Sequence, residues 1–77
     1  MAITVKFFAS LRERVGHDEV VLDAAATAGD AWAATTGGQA MPENTLVAVN
    51  MEYAGIETAL SDGDEVAFFP PVTGGAR

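Results

Sequence analysis

The stretch Asp62-Gly-Asp-Glu-Val-Ala-Phe-Phe-Pro-Pro-Val-Thr-Gly-Gly75 reads in order as a turn, a strand, a stop and an arm. Asp and Gly supply turn chemistry at its start. Glu65-Val-Ala-Phe-Phe69 follows with the β-branched and aromatic residues of a strand. Pro70-Pro71 ends that strand, because proline has no N–H to give to a ladder. Beyond it, Val72-Thr-Gly-Gly-Ala-Arg77 has little capacity to pack. Proline fixes the direction in which this segment leaves, while Gly74 and Gly75 carry no side chain. Such an arm suits a narrow channel that would reject a Cβ; a frayed terminus is the plain alternative.

A closing strand needs partners, and the start of the chain offers one. Ile3, Val5 and Phe7 alternate with Thr4 and Lys6, the period of a strand with one buried face. Ser10-Leu-Arg-Glu-Arg-Val-Gly16 predicts one or two helical turns, with Ser10 placed to cap them and Gly16 to end them. Glu19-Val-Val-Leu-Asp23 reads as a returning strand. A helix then starts at Thr27, with Asp30 at the capping-box spacing, and stops at Gly37-Gly38. Ala28, Ala31, Trp32 and Thr35 form its one face, and Trp32 is its only large anchor. Residues 39–44 read as a loop, Thr45-Leu-Val-Ala-Val-Asn50 as a strand and Asn50-Met51-Glu52 as a turn. Tyr53-Ala54 is a short pairing segment. The order is α+β, one main helix laid across a sheet, with parallel pairing of the first and last strands left open.

Composition narrows the function classes. The chain has 77 residues, 49% hydrophobic and 19% charged, enough apolar content for one small globular domain over residues 1–71 with a tail at 72–77. No cysteine is present, so disulfides, thiolate metal sites and cysteine nucleophiles are excluded. Four basic residues against eleven acidic ones, a formal charge of −7, argue against nucleic acid or an anionic membrane as partner. They favour a partner with a basic face. The N-terminus lacks the basic region and apolar core of a signal peptide, and no run approaches ~20 apolar residues. The expectation is a soluble, cytoplasmic protein.

Internal catalytic chemistry finds little support. Asp62-Gly-Asp-Glu65 lacks the spaced oxygen ligands of a calcium loop and reads as a turn with solvated acids. His17 is the only histidine and has no second ligand or nucleophile spaced to use it, so no metal is expected. Ser10 and Ser61 lack a nucleophile elbow. Arg12 and Arg14 bracket Glu13, which offsets part of their charge. Gly74-Gly75 is followed by no lysine and opens no helix, so it is no phosphate loop. The chain is not expected to be an enzyme on its own.

The stretch 62–75 closely resembles the C-terminal signature of the molybdopterin synthase small-subunit family, ubiquitin-like sulfur carriers. Val5-Lys-Phe-Phe-Ala-Ser-Leu-Arg-Glu-Arg-Val-Gly16 resembles that family's first strand and turn, and Val47-Ala-Val-Asn50 is similar too; the likeness is weakest over 24–44. The resemblance implies a β-grasp fold, a mixed sheet of about four to five strands with one main helix across it. It also implies that the Gly75 carboxylate is adenylated by an E1-like adenylyltransferase using ATP and converted to a thiocarboxylate. The arm would then enter the synthase large subunit and donate sulfur to cyclic pyranopterin monophosphate. Phe68, Pro70 and Pro71 would dock on that partner, and Val72, Thr73 and Gly74 would thread its channel. No cofactor is expected to be bound stably.

One departure stands out. The family's functional form ends at the second glycine, whereas this chain continues with Ala76-Arg77. Either a peptidase removes those two residues, or the chain is a precursor or an inactive variant; trimming or a precursor is favoured. Three readings follow: this carrier; a carrier for thiamine or cysteine biosynthesis, or a protein modifier; and a β-grasp binding module with an inert tail.

Overall fold

In the computed structural model, which describes residues 2–71, β1 (Ile3–Phe7) leads through α1 (Ser10–Val15) to β2 (Glu19–Leu22). There follow α2 (Ala28–Thr36), β3 (Leu46–Val49), β4 (Glu52–Ala54) and β5 (Glu65–Phe69). β1 buries Ile3, Val5 and Phe7 and turns Thr4 and Lys6 to the other face, as the alternation predicts. It pairs antiparallel with β2, Val5 opposite Val20, and parallel with β5, Val5 opposite Val66. The parallel pairing left open by the sequence is thus present. β5 pairs antiparallel with β3, and β3 with β4, giving the order β2-β1-β5-β3-β4. This five-stranded mixed sheet with two helices is the ubiquitin-like β-grasp arrangement that the resemblance implies.

Register parity divides the sheet into two faces. Val66 and Phe68 of β5 point inward with Ile3, Val5 and Phe7, onto Leu11 of α1 and Ala28, Ala31 and Trp32 of α2. Trp32 meets Phe68 and Phe7 edge-on at 5.1 Å and 5.9 Å, and Phe7 stacks on Phe68 at 5.8 Å. Its indole N–H, buried with the ring, donates to the Gln39 carbonyl at 2.6 Å, so the large anchor leaves no unpaired donor inside.

The helix termini show where local sequence ruled and where it did not. Thr27 caps α2, its Oγ1 accepting from the Asp30 amide at 3.1 Å. The next two free amides are taken up by a distant segment: Ala28 N–H donates to the Thr58 carbonyl and Gly29 N–H to the Ile56 carbonyl. That approach explains Gly29, a residue that costs a helix about 1 kcal/mol relative to Ala. A Cβ there would stand 3.2 Å from the Ile56 carbonyl oxygen. Gly16 and Gly37 close the two helices in left-handed conformation, as expected.

The cap expected at Ser10 is corrected. Ser10 is the first helical residue, and the N-cap is Ala9, with φ 53° and no side-chain hydrogen bond. The cause lies one residue earlier. Phe8 N–H still donates to the Phe68 carbonyl, extending the parallel ladder, and Leu11 N–H already donates back to the Phe8 carbonyl. The whole reversal therefore falls on Ala9, and no residue remains for a capping serine.

Candidate functional site

Six of the residues singled out from the sequence, Val72, Thr73, Gly74, Gly75, Ala76 and Arg77, lie outside the described residues. What the structure places is the root of that arm and the surface beside it. Pro70 and Pro71 follow directly on β5, half-buried and exposed respectively. Phe68, expected to dock on a partner, does not reach the surface. It is wholly buried between Phe7 and Trp32, because it shares the inward parity of Val66. Phe69, one residue on, is the aromatic on the outer face.

That outer face carries an apolar hollow of about 310 Å³. Its floor is Ala48 and Ala67, directly paired across β3 and β5, and their small side chains create the depression. Phe8, Phe69, Tyr53 and Met51 wall it, with Glu65 at one side. Phe8 meets Phe69 edge-on at 6.2 Å, and Tyr53 lies tilted at 6.1 Å on the other side of Phe69. Phe8 is 45% exposed, Tyr53 75% and Met51 94%. Aromatic side chains left open around small floor residues supply the rigid, low-entropy contact area that protein interfaces favour. The hollow lies along β5, the strand that Pro70 and Pro71 directly follow.

The acidic stretch resolves as a turn, as its composition predicts. Gly63 is left-handed at φ 89°. Asp62 Oδ1 accepts from the Ala2 amide at 2.7 Å, and Asp64 Oδ2 from the Ser61 amide at 2.7 Å. Asp64 Oδ1 accepts from Asn50 Nδ2 at 2.9 Å, while Asn50 Oδ1 accepts from the Glu65 amide at 3.0 Å. Among the described residues no group of three or more His, Asp or Glu side chains is placed to hold a metal ion. His17, Ser10 and Ser61 fall on separate elements: the loop after α1, the start of α1 and the turn before β5. Among the described residues, no helix is long and apolar enough to cross a membrane.

The hydrogen bond from Asn50, and secondarily that from Ser61, hold the Asp64 carboxyl below its ordinary value. A depressed folded-state value means stability that is present above the unfolded value of about 3.9 and lost as pH falls through the folded one. The melting temperature of the wild type is therefore expected to fall more steeply below about pH 4 than that of Asp64→Asn, which cannot titrate. Parallel melting curves across an acid titration would contradict this role.

The hollow has no counterpart among the residues singled out from the sequence. Phe8 directly follows β1 and Tyr53 lies in β4, and only the sheet order brings both beside Phe69. A signal was present for one of them: continuing the alternation of Ile3, Val5 and Phe7 puts Phe8 outward.

The sequence pattern of the ThiS family matches residues 5–75. A Haemophilus influenzae protein, the molybdopterin synthase sulfur carrier subunit, is 44% identical to this chain, the alignment spanning 95% of this chain and 99% of that one. Among solved structures, small archaeal modifier protein 1 of Haloferax volcanii superposes with a TM-score of 0.74 at 31% identity, over 92% of this chain and 98% of that one. The fold is also that of one chain in a solved complex of subunits 1 and 2 of the molybdopterin-converting factor from Helicobacter pylori. That match has a TM-score of 0.65 at 24% identity, over 97% of this chain and all of the other. Family pattern, identity over nearly the full length and a shared β-grasp sheet agree: the chain belongs to the ThiS family.

Proposed function

We propose that this chain is the sulfur-carrying small subunit of a molybdopterin synthase. The observation that carries the reading is the exposed aromatic hollow flanked by β5, the strand that Pro70-Pro71 and then Gly74-Gly75 follow in the sequence. Identity to a protein of that name over nearly the whole chain supports it.

In this reading Ala76-Arg77 is removed by a peptidase, which frees the Gly75 carboxylate. A carboxylate is a poor electrophile until one oxygen becomes part of a leaving group. In an E1-like enzyme the Gly75 oxygen attacks the α-phosphorus of ATP and expels pyrophosphate, forming an acyl adenylate. A sulfur donor then displaces AMP, leaving a terminal thiocarboxylate. The large subunit seats the hollow, with Phe8, Phe69 and Tyr53 as anchors and Pro70 and Pro71 steering. Val72, Thr73 and Gly74 thread the channel, where a Cβ at 74 or 75 would obstruct. Two carriers in turn each pass one thiocarboxylate sulfur to cyclic pyranopterin monophosphate, giving the two sulfurs of the dithiolene, and water cleaves each acyl intermediate to return Gly75 to a carboxylate. The carrier needs no side-chain acid, base or resident cofactor for these steps.

The test is reconstitution: the chain, an E1-like adenylyltransferase, ATP, a sulfur donor, the large subunit and cyclic pyranopterin monophosphate. Formation of the dithiolene pterin is expected. A chain that accepts sulfur but feeds only a thiamine or cysteine pathway, or that is joined to lysines instead, would replace this reading by a carrier of another pathway or a modifier. A chain that accepts no sulfur and only binds its partner is the inert-tail module.

A further inference from the structure

Four non-glycine residues among those described have positive φ: Ala9, Asn44, Asn50 and Met51. Asparagine tolerates that conformation; alanine and methionine do so at a cost. Met51 is the second residue of the two-residue hairpin joining β3 to β4, with φ 70° after Asn50 at φ 52°. This is the position that glycine fills by default in such turns. Burial returns nothing for the strain, since Met51 is 94% exposed.

The turn is nevertheless held in place. Asn50 is tied by its side chain to Asp64 and to the Glu65 amide, and its own amide donates to the Glu65 carbonyl at 2.8 Å. Through this clamp the hairpin tip is fixed to the root of β5, and Met51 stands as one wall of the hollow beside Tyr53 and Phe69. Strain of this kind persists where surrounding structure enforces it and the position serves a function. A thioether adapts to irregular apolar partners and makes favourable contacts with aromatic rings. The neighbouring carboxylates are Glu52, next in the chain, Asp64, which accepts from the Asn50 side chain, and Glu65, which pairs with Lys6 at 3.3 Å.

We infer that Met51 is a specificity-determining contact for the synthase large subunit, which would meet it with an apolar or aromatic side chain flanked by Arg or Lys facing Glu52. This rests on the reading that the outer face receives that subunit, and it extends that face from the aromatic hollow to the hairpin tip. The occupant follows from continuity with the hollow and from the acidic border, which complements a basic rim. Ala9, the other strained residue outside asparagine, directly follows Phe8 on the opposite wall, so backbone strain brackets the same surface.

The experiment titrates the full chain and its variants against a bacterial molybdopterin synthase large subunit and records the melting temperature of each variant. Met51→Gly is expected to raise the melting temperature by about 4 °C, since glycine relieves the turn. The same variant is expected to bind about tenfold more weakly. Met51→Ala keeps the backbone strain and removes the thioether, so it should lose the same affinity with no gain in melting temperature. Phe69→Ala and Phe8→Ala report separately on the hollow. If either weakens binding while both Met51 variants stay within about twofold of wild type, the inference is overturned and the docking reading stands. If wild type and all variants fail to bind, the docking reading falls and the inference with it.

Discussion

A chain ending at Gly75 is expected to support dithiolene formation in the reconstituted synthase, and one ending at Arg77 to support none unless a peptidase is added. The difference is chemical rather than a matter of fit. In the longer chain the Gly75 carbonyl is an amide, with no oxyanion to attack ATP and no group that sulfur can displace. In a chain ending at Arg77 the main-chain carboxylate lies two residues further along, on a bulky cationic residue. Adding a trimming peptidase should convert the second outcome into the first. Gly75→Ala in the shorter chain should retain the melting temperature and lose most of the transfer, because the position lies beyond β5 and its prolines. Equal yields from the two chain lengths without any peptidase would remove the terminal carboxylate from the mechanism.

The other large effect separates two adjacent phenylalanines. Phe68→Ala is expected to destabilise the domain by about 3–5 kcal/mol, the range for emptying a fully buried aromatic site. Trp32 and Phe7 both pack on that ring and cannot follow it into the space it leaves. Domains typically have about 5–15 kcal/mol of stability in all, so the variant should be substantially unfolded under mild denaturant. Phe69→Ala removes a half-buried ring from the outer face and should cost about 1 kcal/mol of stability. Its loss should instead appear as weaker binding of the large subunit, by about tenfold or more. Denaturant unfolding and a binding titration on both variants check this. The reverse assignment, with Phe69 governing stability, would mean that the two sheet faces have been exchanged.

That pair also marks how far the sequence could be read. The strand at 65–69 and its stop are plain from Val66, Phe68, Phe69 and the two prolines. Which phenylalanine faces out depends on parity with Val66, and two aromatics in succession satisfy either choice until β1 is laid alongside. The alternation at Ile3, Val5 and Phe7, the cap at Thr27 and the stops at Gly16 and Gly37 were legible because each rests on neighbours within one turn or one strand. Ser10 was misread because its position is set by a hydrogen bond from Phe8 to Phe68, sixty residues away. Gly29, costly in an isolated helix, is accounted for only by the distant Ile56 carbonyl packed against it. The hollow has no local signature: its floor and walls come from β3, β4, β5 and the residue after β1, and only the sheet order assembles them. The proposed role of residues 72–75 rests on residue type alone, and they lie outside the described residues.

In the proposed mechanism sulfur rides on the main-chain terminus of a sequence that has no cysteine to carry it. Intact-mass measurement of the chain after incubation with an E1-like adenylyltransferase, ATP and a sulfur donor tests this most directly. Loss of Ala76-Arg77 is expected in the presence of the peptidase, followed by the mass gain of one sulfur replacing one oxygen, located at Gly75. A chain ending at Gly75 whose mass is unchanged after the same incubation, in purified components and in cell extract alike, would contradict it.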